Sequence, residues 1–162
     1  MRTTKIIALL ALGTIPAIAV AAPAMTSATY VMKAGAGDLY EKQSSTLLMQ
    51  STANPALKTF AKEMITDHTN STAAVKAAAM KAGLHPAPPK LNAKQSSDLA
   101  ALRAATGTAR DTLYIQQQKA AHQEALALHQ DESSTGTAAP LKAAAAKIVP
   151  VVQHHVDMLA AM

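Results

Sequence analysis

The chain has 162 residues, a formal net charge of +5, 49% hydrophobic but only 2% aromatic residues, and no cysteine. This length fits one domain, and the lack of cysteine excludes disulfides and thiolate metal sites. The lysines are scattered and do not alternate with aromatic residues, which argues against a nucleic-acid-binding protein.

The first 21 residues predict a cleavable secretory signal peptide. Arg2 and Lys5 form a basic start, residues 6–20 carry no charge, and the small residues at 19–21 form a cleavage motif, with cleavage after Ala24 as the alternative. An uncleaved membrane anchor is the competing interpretation, but the apolar run of about 15 residues is shorter than the roughly 20 that a spanning helix needs. We therefore expect an exported protein with one domain at residues 22–162 and no transmembrane span in its mature form.

That domain is predicted to contain four long helices and one short one. The predicted helices run from a Ser27 or Thr29 cap to about Ala53, from about Ala56 to Ala82, from an Asn92 cap to about Thr106, from about Thr108 to Ser133, and from about Leu141 to Ala161. The breaks between them are rich in proline, glycine and small polar residues, and no run of alternating β-branched residues predicts a strand. Short loops favour antiparallel neighbours, so the expected fold is an all-α, up-down four-helix bundle with a short connecting helix.

Three of the long helices carry a stripe of apolar or small residues that is interrupted once by a potential metal ligand. The interruptions are Glu41 in the first helix, His68 in the second and His155 in the last. The fourth long helix has two faces of similar quality, one with His122 and the other with Glu124. We select the face of His122 and keep Glu124 as a reserve ligand.

The four selected residues lie at similar heights in an antiparallel bundle. Glu41 and His68 lie 13 and 14 residues from Asn54, on either side of the first turn, and His122 and His155 lie 14 and 19 residues from the middle of the last loop. At about 1.5 Å of rise per residue, these levels differ by a few Å. Buried carboxylate and imidazole groups need partners, and one zinc, copper or iron ion bound by all four would supply them.

Two other interpretations remain open. In one, the same side chains form a metal-free hydrogen-bonded network inside a structural or interaction bundle of the cell envelope. In the other, the protein is a metal-dependent oxidase or hydrolase, although the Glu-x-x-His pattern of carboxylate-bridged di-iron bundles does not occur in the chain. Asp67 could orient the ring of His68 without binding the metal itself, or it could face solvent.

Four stretches of the sequence carry a family resemblance. They are FAKEMITDHTNS at 60–71, MKAGLHPAP at 80–88, YIQQQKAAHQEAL at 114–126 and IVPVVQHHVDML at 148–159. Together they resemble the bacterial periplasmic family numbered 4142 among the domains of unknown function. The resemblance implies a ferritin-like helical bundle in the periplasm, implies no activity, and matches recurrent polar positions of the family to Glu41, Asp67, His68, His122 and His155.

Overall fold

The structure is a computed structural model that describes residues 25–162, and these residues form five helices and no strand. The helices are α1 (Ser27–Met49), α2 (Pro55–Lys81), α3 (Ala93–Ala104), α4 (Gly107–Thr135) and α5 (Ala139–Ala160). The all-helical fold expected from the sequence is confirmed. The predicted signal peptide and its cleavage sites lie outside the described residues. Within residues 25–162, no helix has both the length and the hydrophobicity needed to cross a membrane.

Side-chain caps fix the starts of α1, α2 and α3, whereas α4 and α5 begin without a side-chain cap hydrogen bond. Asn54 accepts hydrogen bonds from two backbone N–H groups at the start of α2, where Pro55 occupies the first turn. Asn92 and Gln95 form a reciprocal capping box at the start of α3. The N-cap of α1 is Thr26, just before the two residues that the sequence suggested for this role. Each cap satisfies backbone donors that the first helical turn leaves without partners.

The end of α1 is earlier than its sequence suggests. The helix ends at Met49, whereas its composition predicts continuation to about Ala53. The reason is a tertiary contact: Thr52 is buried, and its hydroxyl donates to the carboxylate of Asp111 at 2.9 Å. The same hydroxyl accepts from the backbone N–H of Asn54 at 3.1 Å, which turns the chain toward α2.

The four long helices α1, α2, α4 and α5 form a bundle in which every neighbouring pair is antiparallel. α1 packs against α2 and α4, and α5 packs against the same two helices. Along the α1–α4 interface Tyr30 meets His129 and Ser45 meets Tyr114, so these chain directions are opposite. The start of α2 packs with the end of α5, and the end of α2 packs with the start of α5. The antiparallel neighbours expected from the loops are therefore present.

This arrangement places α2 and α4 on a diagonal with the same chain direction, so segment 82–106 has to cross the length of the bundle. The crossover contains α3, which lies along α1 and α4 with Leu99 and Leu102 buried. The side-chain amide of Gln117 donates to the backbone carbonyl of Asp98 and accepts from the hydroxyl of Tyr40. α1 is consequently buried on more than the single face that its sequence stripe predicts.

The bundle core consists of two apolar clusters with a polar layer between them. One cluster lies at the end that contains the start of α1, and the other lies at the end that contains the α1–α2 turn. The first includes Tyr30, Val31, Val75, Leu141, Ile148 and Val152, and the second includes Leu48, Leu57, Phe60, Met64, Leu102, Tyr114 and Leu159. The central polar layer consists of the buried side chains of Asp38, Glu41, Ser44, His68, Gln118, His122 and His155.

Candidate metal centre

Three histidines from three helices converge in the central polar layer. His68 of α2, His122 of α4 and His155 of α5 have ring centroids 5.4–5.6 Å apart. One ring nitrogen from each lies within 4.8 Å of the other two, and all three residues are buried. Phe60 packs edge-on against His155 from the neighbouring apolar cluster. We call these three residues the three-histidine group.

One nitrogen of each ring is held by a hydrogen bond to an oxygen acceptor. A backbone carbonyl and ionised carboxylates have no proton to donate, so the ring nitrogen is the donor in each case. This fixes both the tautomer and the orientation of each neutral ring. The contacts are His68 Nδ1 to Asp38 Oδ1 at 2.8 Å, His122 Nδ1 to the carbonyl oxygen of Gln118 at 2.9 Å, and His155 Nε2 to Asp67 Oδ2 at 3.1 Å.

The second nitrogen of each ring is buried and has no hydrogen-bond partner. These atoms are Nε2 of His68, Nε2 of His122 and Nδ1 of His155. In the tautomers set by the other nitrogens they carry lone pairs, and each unpaired buried polar atom costs about 1–3 kcal/mol. Three imidazole lone pairs in one small region form a donor set suited to zinc, copper or iron. A ring that binds metal through one nitrogen typically donates from the other to a carboxylate or carbonyl, as these rings do.

Glu41 lies beside the three-histidine group and not within it. Its side chain is buried, Oε2 has no partner, and Oε1 lies 3.9 Å from Nδ1 of His122, the nitrogen already bonded to Gln118. Burial raises the pKa of Glu41 to about 7, although the charge of His68 and the side-chain amide of Gln118 act to lower it. The predicted carboxylate ligand thus lies in the central polar layer, near the bonded nitrogen of His122, and its binding to a metal stays a prediction.

Asp38 is a site residue that the sequence reasoning missed. It is 3% exposed, holds the ring of His68, and accepts a second hydrogen bond from Thr72 at 3.1 Å. The available signal was its position three residues before Glu41, since residues three apart share a helix face. It was overlooked because it falls beside the apolar stripe of α1, on the side that packs against α2.

Asp67 and Glu124 occupy very different positions. Asp67 is half-buried and hydrogen-bonds His155, so it orients a site ring, but not the ring of its sequence neighbour His68. Glu124 is exposed on α4, where its charge acts on Lys94 of the crossover. The face of α4 that carries His122 is the buried one, and the rival face through Glu124 points to solvent.

Two further buried polar groups lie toward the end of α4, outside the three-histidine group. Nδ1 of His129 lies 2.9 Å from the hydroxyl of Tyr30, and burial lowers the pKa of His129 to about 4. Glu132 is 1% exposed and neither carboxylate oxygen has a partner, so its burial raises its pKa. The sequence reasoning assigned neither group a function, and the structure keeps both separate from the converging rings.

The charges in the central polar layer are distributed unequally among its rings. Burial disfavours a proton on His68, but its hydrogen bond to Asp38 and the charge of Glu41 outweigh burial and raise its pKa. Burial and the charges of His68 and His155 lower the pKa of His122 to about 3. Burial and the charge of His68 also lower the pKa of His155. His122 and His155 are consequently neutral near pH 7, as metal-binding imidazoles must be.

A comparison with protein families found one match. The model of a family described as a domain of unknown function, DUF4142, matches residues 14–162. The matched range includes every residue of the central polar layer. No curated protein and no solved structure matches the chain.

Proposed function

The chain belongs to the DUF4142 family, whose function is unknown, and we propose that it binds one transition-metal ion through His68, His122 and His155. The observation that carries the proposal is the pairing pattern of the rings. Each ring has one nitrogen fixed by an oxygen acceptor and one buried nitrogen without a partner. Zinc, copper and iron are the ions whose preferred ligands match imidazole.

The carboxylates of the central polar layer support binding of a cation in particular. Asp38 and Glu41 are each 3% exposed, and burying carboxylates without compensating positive charge is costly. A divalent ion held by His68 and its two partner rings would offset both charges. Glu41 acts here as a charge partner beside the ion, and the sequence predicts its carboxylate as the fourth ligand.

A metal-free polar network is the competing function, and one observation favours it. The raised pKa of His68 allows a proton on that ring to compensate Asp38 and Glu41 without any ion. Such a network would leave the buried lone pairs of His122 and His155 without partners. Because a metal ion accounts for all three unpaired nitrogens and a proton on His68 does not, we favour the metal centre.

Metal content and thermal stability test the proposal. We expect untagged protein purified from metal-replete cells to hold one ion per chain, and the His122→Ala variant to hold none. Adding the cognate ion to metal-free wild type at 100 times its dissociation constant should stabilise the fold by about 2.7 kcal/mol. The matched control is His85→Ala, which removes an exposed histidine of the crossover. A metal-free wild type whose melting temperature ignores zinc, copper and iron would refute the metal centre.

We further propose that this domain acts outside the cytoplasm after removal of a signal peptide. The support is the basic start, the uncharged apolar run and the small-residue motif within residues 1–21. Mass spectrometry of the protein from its native host should give a mature N-terminus at Ala22. An intact N-terminus in the soluble fraction would contradict this. The single long crossover between α2 and α4 also supports the predicted ferritin-like class, because ferritin-like bundles have one such connection.

A further inference from the structure

We propose a second, outer cation site formed by Glu63, Asp67 and His155, through which a metal ion reaches the three-histidine group. One ligand atom from each of these residues lies within 4.8 Å of the other two. Nε2 of His154 also lies 3.3 Å from Oε1 of Glu63, so a second imidazole borders the site. The inference deepens the proposed function and rests on it for the destination of the ion.

The two sites share the ring of His155 and use opposite edges of it. Nε2 contacts Asp67 at 3.1 Å on the outer side, while Nδ1 is the buried nitrogen without a partner. The His155 side chain is 0% exposed, whereas those of Asp67 and Glu63 are 29% and 33% exposed. One imidazole therefore separates an accessible cluster of oxygens from an enclosed cluster of nitrogens.

A groove between α2 and α5 borders the outer site at Asp67. It encloses about 230 Å³ and is lined by Asp67, Ser71, Ile148 and Lys147 among others. A water molecule takes up roughly 30 Å³ in the liquid, so the groove has room for a hydrated ion. The hydroxyl of Ser71 is buried without a partner at this groove, and it offers a hydrogen-bonding group to such an ion's water shell. Asp67 is thus reached from solvent on one side and bonded to a site ring on the other.

The donor sets of the two sites set the direction of transfer. The outer site has two carboxylates and one imidazole, whereas the inner site has three imidazoles, which suit zinc, copper and iron better. The negative charges of Glu63 and Asp67 raise the local concentration of cations. We therefore expect the outer site to bind faster and more weakly than the inner site.

Transfer through His155 requires a change of tautomer. With an ion at the outer site, Nε2 binds the ion and the one proton of the ring is on Nδ1. With the ion at the three-histidine group, Nδ1 binds the ion and the proton is on Nε2, where it is donated to Asp67. The ring is neutral in both states, so transfer takes up and releases no net proton, and no oxidant or reductant is needed.

The Glu63→Gln variant tests the outer site and leaves the hydrogen bonds of the three-histidine group in place, because those rings are held by Asp38, Gln118 and Asp67. With Zn²⁺ as the probe, we expect calorimetry to give two ions per wild-type chain, one tight and one weak, and one tight ion for the variant. Stopped-flow loading with Co²⁺ at low salt should be at least about threefold slower in the variant. Glu124→Gln, which removes an exposed carboxylate elsewhere, is the matched control and should load at the wild-type rate.

A second variant separates failure of this inference from failure of the inner centre. His68→Ala combined with His122→Ala, shown to be folded by circular dichroism, should retain one weak Zn²⁺ that is lost when Glu63→Gln is added. The outer site alone would be overturned by two results together. The Glu63→Gln variant would load Co²⁺ at the wild-type rate, and calorimetry would give one Zn²⁺ per chain for both wild type and variant. A different result would overturn the three-histidine centre. In that case the wild type would bind only one weak Zn²⁺, which His122→Ala would retain and Glu63→Gln would lose.

Discussion

Replacing His122 by leucine isolates the electrostatic cost of one buried ring. The side chain is 0% exposed, and burial together with the charges of His68 and His155 lowers its pKa from 6.5 to about 3. Between these two pH values, the unfolded chain binds a proton at this position and the folded chain does not. The free energy of unfolding therefore falls as the pH falls, by about 1.4 kcal/mol per pH unit.

The size of the effect follows from the pH interval. From pH 6.5 to pH 4.5, which lies wholly above the folded pKa, the contribution of His122 amounts to roughly 2–3 kcal/mol. His122→Leu removes this contribution and introduces an apolar side chain of similar volume. We expect the metal-free variant to lose about 2–3 kcal/mol less stability than the wild type over this interval. The remaining titratable groups are common to both proteins and cancel to first order.

Urea unfolding with a chelator present at both pH values measures the difference. His85→Leu serves as the control, since it removes a histidine that is exposed in the crossover, and it should follow the wild type. Equal acid destabilisation of wild type and His122→Leu would show that the ring of His122 takes up a proton in the folded state. That result would refute the neutral, metal-ready state assigned to it.

Other variants address the remaining parts of the structure. Asp38→Asn should raise the dissociation constant for Zn²⁺ by roughly 10- to 100-fold in a competition titration, because it weakens the acceptor that fixes His68. An unchanged dissociation constant would mean that this hydrogen bond does not orient the ring for metal binding. Phe60→Ala should reduce the free energy of unfolding by about 3–5 kcal/mol in urea, because it opens a cavity at a 0% exposed position. Asn54→Ala should cost about 1 kcal/mol by thermal unfolding, since it removes the cap of α2, whereas a loss below about 0.3 kcal/mol would show that Thr52 alone fixes this turn.

The helices and the burial of the selected side chains followed from the sequence because helical spacing is regular. A residue that interrupts an apolar stripe shares its burial, and Glu41, His68, His122 and His155 are all buried. Counting residues from the turns placed them in one layer because the rise per residue is constant. Metal binding by these residues stays a prediction.

The finer geometry of the site could not be obtained in this way. The distance from Glu41 to the unpaired ring nitrogens depends on how far α1 is rotated about its own axis. The apolar stripe of α1 shows which face is buried, but it does not fix this rotation closely enough to place one carboxylate. Asp38 escaped notice because it lies beside the apolar stripe of α1, on the side that packs against α2, where its carboxylate reaches His68 and Thr72. The partner of Asp67 was misjudged for a related reason, since its carboxylate reaches across to α5 and not along its own helix.

The three-histidine group also joins the two hairpins of the bundle. His68 belongs to the α1–α2 hairpin, whereas His122 and His155 belong to the α4–α5 hairpin. Any motion that parts the hairpins has to separate these rings, so an ion bound by all three acts as a cross-link between halves that are otherwise held by side-chain packing and hydrogen bonds. Hydrogen exchange of the core amides in α1 and α2 should therefore slow when metal binds and should report the opening of one hairpin from the other.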